Sequence, residues 1–162
     1  MIKKIGLGLL ICLVIIQFIR PAKNTNTIDA SKQITAVAAV PENVNVIIKK
    51  ACNDCHSNNT NYPWYSNIQP VYFWLNDHIK EGKREINFDE FASYRLRRQY
   101  HKMEELIEQV KEGEMPLSSY TLIHKDAKLT DAERTTLTSW AQGIMDSMKA
   151  KYPIDSLVKK KS

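Results

Sequence analysis

Two cysteines three residues apart, with a histidine directly after the second, set the first constraint on this chain. They are Cys52, Cys55 and His56 in the stretch ACNDCH. On a helical turn, positions i and i+3 share a face, so the two thiols stand side by side and the imidazole follows beneath them. The chain has three cysteines and four histidines, and the third cysteine, Cys12, lies far away in an apolar run. The pair must therefore be explained on its own. C-x-x-C-H is the attachment signature of a c-type haem, in which each thiol adds across a vinyl group and the histidine ligates the iron. A structural zinc site needs four ligands, typically from two knuckles, and there is no second cysteine pair. A thioredoxin-like redox pair needs a βαβ setting, which the pattern lacks. A Cys52–Cys55 disulfide leaves His56 without a role.

The first residues, MIKKIGLGLLICLVIIQFIRP, carry two lysines and then an apolar segment from Ile5 to Ile19, broken only by Gln17. That is the layout of an export signal. Fifteen helical residues reach about 22 Å, short of a hydrocarbon core of about 30 Å. Snorkelling of Lys3, Lys4 and Arg20 closes part of the gap. No small-x-small cleavage site follows Ile19, so residues 1–20 read as an uncleaved signal anchor. Cys12 follows Ile11 rather than a small residue, which disfavours a lipoprotein and leaves a buried apolar cysteine. Arg20 and Lys23 partly balance Lys3 and Lys4, so charge alone orients the anchor poorly.

Residues 21–40 look like a polar tether. Pro41 and Glu42 open a helix whose apolar stripe is Val44, Ile47, Ile48 and Ala51, and which runs into the cluster. A turn-rich segment follows. The pattern predicts a second helix over 71–84, with Phe73, Trp74 and Ile79 apolar, and a third over 88–112, capped by Asn87 and stopped by Gly113. The stripe of the third is Leu96, Tyr100, Met103, Ile107 and Val110. A last helix starts at a capping box of Thr130 and Glu133 and ends at Pro153. Its apolar face is Leu137, Trp140, Ala141, Ile144, Met145 and Met148. There is no strand alternation and no repeat. The reading is an all-α haem domain over 41–153 behind an N-terminal membrane helix over 1–20, with a basic tail at 154–162.

The net charge of +5 does not imply nucleic acid. Lys3, Lys4 and Arg20 supply three of those charges, and the basic clusters at 80–84 and 95–102 are interleaved with or flanked by Glu81, Glu85, Glu104 and Glu105. A solvated helix face explains them.

The stretches ACNDCHSNNTNYPWYSNIQPV, WLNDHIKEGKREINFDEF and GEMPLSSYTLIHKDAKLTDAER, with a tryptophan-bearing last helix, carry a resemblance. Over roughly residues 41–152 the chain resembles the small bacterial haem-binding domain family of monohaem c-type cytochromes. The resemblance implies one covalent haem c and an exported, membrane-attached location. Attachment of haem to C-x-x-C-H, which in bacteria takes place outside the cytoplasm, puts the domain on the periplasmic side of the cytoplasmic membrane. More distantly, the order of a helix running into C-x-x-C-H, a Met-Pro loop and a final helix looks like cytochrome c in general, so the expected fold is a small cytochrome c-like helical haem domain. It implies no defined substrate.

For the sixth iron ligand, a thioether suits haem and raises the reduction potential. Met103, Met145 and Met148 lie on apolar helix faces, where packing explains them. Met115 sits in a loop between Gly113 and Pro116 and is the expected distal ligand, opposite His56. His124, in the same loop, is the alternative; His78 and His101 read as surface residues. Trp64, Tyr65, Trp74 and Tyr120 are candidate pocket walls, although each also serves as ordinary core. Pro63 or Pro70 could offer a carbonyl to the His56 Nδ1 proton. The expected function is one-electron transfer with redox partner proteins, without enzymatic turnover. The alternative is a haem-based sensor with an open or displaceable axial position.

Overall fold

A computed structural model describes residues 2–159. Among the described residues, eight helices follow one another: α1 Ile2–Ile16, α2 Glu42–Ala51, α3 Asn53–His56, α4 Val71–Glu85, α5 Leu96–Glu112, α6 Ser118–Ile123, α7 Asp131–Lys151 and α8 Ile154–Leu157. Short 3₁₀ turns at Ile34–Ala36, Trp64–Asn67, Phe91–Ser93 and Lys125–Ala127 join them. Among the described residues there is no strand, and the only pairing of extended backbone is a bridge between Thr25 and Asn59.

The periodic stripes form the core. Val44, Ile47, Ile48 and Ala51 of α2 are all buried, as are Tyr100, Met103 and Val110 of α5. They pack with Leu137, Ala141, Ile144, Met145 and Met148 of α7. The ends of α7 behave as their residues require. Thr130 Oγ1 accepts the Glu133 amide while the Glu133 carboxylate accepts the Thr130 amide, so two otherwise unpaired donors of the first turn are satisfied. At the far end of α5, Gly113 adopts φ 81°, the left-handed region where a side chain is strained.

Four elements depart from the pattern. Residues Ser118–Ile123, within the loop expected to carry both Met115 and His124, form α6. α5 starts at Leu96 rather than Phe88, because the backbone of 86–89 is used elsewhere. The Phe88 amide donates to the His56 carbonyl at 2.9 Å, and Asn87 Oδ1 accepts the Asp89 amide in a local turn instead of capping a helix. α4 buries Tyr72, Leu75 and Ile79, leaving Phe73 half-buried and Trp74 exposed, so its inner face is rotated from the one expected. Beyond Pro153 the chain makes another helical turn that buries Leu157; residues 160–162 of the expected tail lie outside the described residues.

Residues 21–40 are not slack. Ile34 is buried in the core, and its amide donates to the Phe88 carbonyl at 2.8 Å. Trp140 Nε1 donates to the Ala39 carbonyl at 2.9 Å. Asn24, also buried, donates to the Ser57 carbonyl and to Thr60 Oγ1. The segment lacks a helical period because it is extended chain interrupted by turns at 30–32 and Ile34–Ala36, held by backbone and amide hydrogen bonds.

α1 stands apart from this packing, with no buried residue. Among the described residues, no helix is long and apolar enough to cross a membrane.

Ile34→Ala should lower the unfolding free energy by about 2–5 kcal/mol, the cost of emptying a buried isoleucine site. Chemical denaturation would read it; a loose tether would give no change.

Candidate functional site

The C-terminal turn of α2 delivers Cys52, and α3 is the single turn that follows, so Cys55 and His56 are fixed by the end of a well-packed helix. Cys52 closes α2 with its amide on the Ile48 carbonyl, and its own carbonyl accepts the Cys55 and His56 amides. The helical turn that the spacing demands is therefore present. Neither thiol is in a disulfide.

α4 crosses directly behind this turn, and Gly82 is what allows it. A Cβ at Gly82 would lie 2.7 Å from the Cys55 carbonyl oxygen and 3.0 Å from Cys55 Cβ, closer than real Cβ contacts permit. The chain leaving α4 then turns so that the Ile86 carbonyl accepts a hydrogen bond from His56 Nδ1 at 3.0 Å. This is the role sought at Pro63 or Pro70. With Nδ1 carrying the proton, Nε2 is left as the free lone-pair donor. Burial pulls the His56 pKa down, partly offset by the Ile86 and Gly82 carbonyls, so the ring is neutral, the ligating form.

Burial also pushes the thiols up, Cys52 to about 12 and Cys55 to about 11, with Cys52 raised further by Cys55, and Cys55 by the Asp54 carboxylate. Both are protonated at neutral pH. A dithiol redox pair works through a lowered thiol pKa, so these values speak against that chemistry.

Two cavities meet at this turn, of about 310 and 340 Å³. Cys52, His56, Glu85 and Met115 line both. Met115 is half-buried, its amide held by the Gln109 carbonyl at 3.1 Å, in the loop that Gly113 releases from α5. The other internal methionines, Met103, Met145 and Met148, are buried in the core. The first cavity is also walled by Asp54, Cys55 and Tyr120; the second by Ile86, Phe88 and Leu137.

Of the expected aromatic walls, Tyr120 is in place, its hydroxyl donating to Asp54 Oδ2 at 2.7 Å. Trp64, Tyr65 and Trp74 line neither cavity. The 3₁₀ turn after Pro63 throws Trp64 outward, 76% exposed, and the rotation of α4 does the same for Trp74. Tyr65 instead hydrogen-bonds His124 Nε2 at 2.7 Å. His124 also stacks on Tyr120, ring centres 4.3 Å apart, and lines neither cavity. His78, expected on the surface, does line the first cavity; its Nδ1 meets the Trp74 carbonyl at 2.9 Å. His101 is exposed, beside Glu104 and Glu105.

Gly82 had a sequence signal, an isolated glycine inside a helical pattern, which usually marks close packing. The Ile86 carbonyl had none, since any residue supplies one.

Among the described residues, no three His, Cys, Asp or Glu side chains converge to cage a metal. One neutral imidazole, two unpaired thiols and a thioether, all lining the first cavity, instead fit an organic group that carries its own metal. A family model described as haem-binding domain matches residues 11–143, from within α1 to within α7. No curated protein and no solved structure matches the chain.

Gly82→Ala tests the packing behind the site. Helix propensity alone predicts stabilisation by about 1 kcal/mol. The contact with Cys55 predicts the opposite sign, a loss of about 1–3 kcal/mol from overpacking, read as a lower denaturation midpoint.

Proposed function

Because the chain belongs to the haem-binding domain family, we propose that it holds one haem c covalently and acts as a one-electron carrier rather than an enzyme. The observation that carries this is the hydrogen bond from His56 Nδ1 to the Ile86 carbonyl, made beside two unpaired thiols on one cavity wall. Cys52 and Cys55 would hold the macrocycle through thioethers, and His56 Nε2 would ligate the iron. Bound there, the iron supplies reversible one-electron chemistry.

The chain's own residues favour a carrier. Cys52 and Cys55 restrict movement of the bound group. The His56 ring is locked in one tautomer, so little rearrangement accompanies a change of charge. Met115, which lines both cavities, would offer the iron a soft sulfur, which favours the reduced state. His78, on the first cavity, replaces His124 as the competing nitrogen ligand.

We also propose that residues 1–20 anchor the chain in the bacterial cytoplasmic membrane, with the domain on the periplasmic side, where haem is joined to C-x-x-C-H in bacteria. The partners are redox proteins and the membrane itself.

The test is a spectroscopic redox titration of the holoprotein with and without carbon monoxide. A carrier gives a single reversible one-electron transition and a reduced spectrum unchanged by carbon monoxide. Met115→Ala should lower the potential and admit carbon monoxide. If His78→Ala does this instead, the distal ligand is His78. If the unaltered protein binds carbon monoxide, the small-ligand sensor is the better reading.

A further inference from the structure

We propose that the domain rests on the bilayer surface, with Trp64, Ile68 and Val71 in the boundary between headgroups and acyl chains; this builds on the reading of α1 as a membrane anchor. The primary observation is a seam of hydrogen bonds that a tethered domain would not need. Gln17 Nε2 donates to the Gln69 carbonyl at 3.1 Å, and Gln17 Oε1 accepts the Gln69 amide at 2.9 Å. Gln69 Nε2 donates to the Ile19 carbonyl at 2.7 Å, and Arg20 Nη2 to the Asn67 carbonyl at 2.8 Å. The Tyr72 hydroxyl donates to the Pro21 carbonyl at 2.9 Å. The exit of α1 is stitched directly to the turn before α4. Whatever surrounds α1 must therefore come close to that turn.

The turn suits such a neighbour. No side chain from Ser57 to Asn76 is charged, and none from Ile5 to Ile19. Trp64 is 76% exposed, Ile68 45% and Val71 37%. Single exposed apolar residues are ordinary, but a group joined to the exit of an apolar helix with no buried residue marks an interaction surface. Tryptophan is the residue that membrane interfaces favour, and Arg20 lies where lipid phosphates would meet it.

Length gives an independent argument. α1 has 15 residues and so rises about 22 Å, against a hydrocarbon core of about 30 Å. A span this short is accommodated by local thinning of the bilayer and by snorkelling of flanking residues, and thinning brings the lipid boundary toward the residues stitched to the helix exit. Gln17 fits this placement because its amide is already satisfied, with Nε2 also on the Leu13 carbonyl at 3.0 Å. In lipid an unsatisfied amide would be costly. The consequence for function is orientation: the seam ties α4, and with it the cavity wall at Gly82, to the plane of the membrane.

The test uses full-length holoprotein in phosphatidylcholine–phosphatidylglycerol vesicles containing a lipid with a diazirine on its acyl chain near the glycerol. After photolysis, labelled residues are mapped by mass spectrometry. Label is expected on α1 and also on Trp64, Ile68 and Val71. In Gln17→Leu that still carries haem, label on the turn should be lost while label on α1 stays; its persistence would overturn the seam as the holding device. If that variant does not fold, the map of the unaltered protein decides alone. Label confined to α1 would mean that the domain stands off the bilayer, and the proposal falls while the anchor survives. Label on neither would remove the anchor reading and the proposal together.

Discussion

Helix α4 passes so close to the Cys52–His56 turn that a glycine is needed between them, and the geometry of the site depends on that contact. Gly82 lets the two backbones touch. The touch brings the end of α4 alongside His56, so that the Ile86 carbonyl meets Nδ1 and the Phe88 amide meets the His56 carbonyl. The imidazole is thus held at its ring and at its backbone by one three-residue stretch. A side chain at position 82 would push that stretch away, and the histidine would lose its orientation before any ligand was considered. Binding sites need such support from a second layer, since a loosely held ligand is a weak one.

The same stretch explains a run of amides with no other obvious use. Asn58 donates its backbone amide to Asp89 Oδ2, and Asn87 Nδ2 donates to Asn58 Oδ1. Gln33 Nε2 donates to Asp89 Oδ1, and Asn24, further along, receives Lys83 Nζ at its Oδ1. Asn24, Asn58, Asn87 and Asp89 are all buried. Among the described residues, no buried side-chain nitrogen or oxygen lacks a partner. That matters, because each unpaired buried group would cost about 1–3 kcal/mol. These bonds tie residues 24–33, 57–60 and 87–90 into one frame around the cysteine turn. The dry core of α2, α5 and α7 supplies the burial, and the polar frame supplies the register.

Periodicity made the dry half legible. The stripes of α2, α5 and α7 occupy the interior as their spacing predicts, and the capping box and Gly113 end their helices for local chemical reasons. The cysteine turn and Met115 also stood out, because few residue types at few spacings can do that chemistry. What was hidden was long-range. Asn24, Asn58 and Asn87 look like turn formers, and only the fold shows them buried against one another. Residues 21–40 look like a tether for the same reason: irregular chain pinned by hydrogen bonds has no apolar period. Residue type alone suggests Trp64 and Trp74 for the cavity, yet direction is decided by the backbone, and theirs points outward. His78 reads as a surface residue from sequence, although one face of that helix lines the cavity. Gln17 read as a flaw in an apolar run and is the residue that joins that run to the domain.

The most direct measurement is the intact mass of the chain produced through an exporting, haem-attaching host, after extraction with acidified acetone. Covalent attachment predicts a polypeptide heavier by one haem, with the added mass on the peptide containing Cys52 and Cys55 and lost when both are replaced by serine. An unmodified mass, with all colour in the solvent, would contradict the account of the cysteine turn.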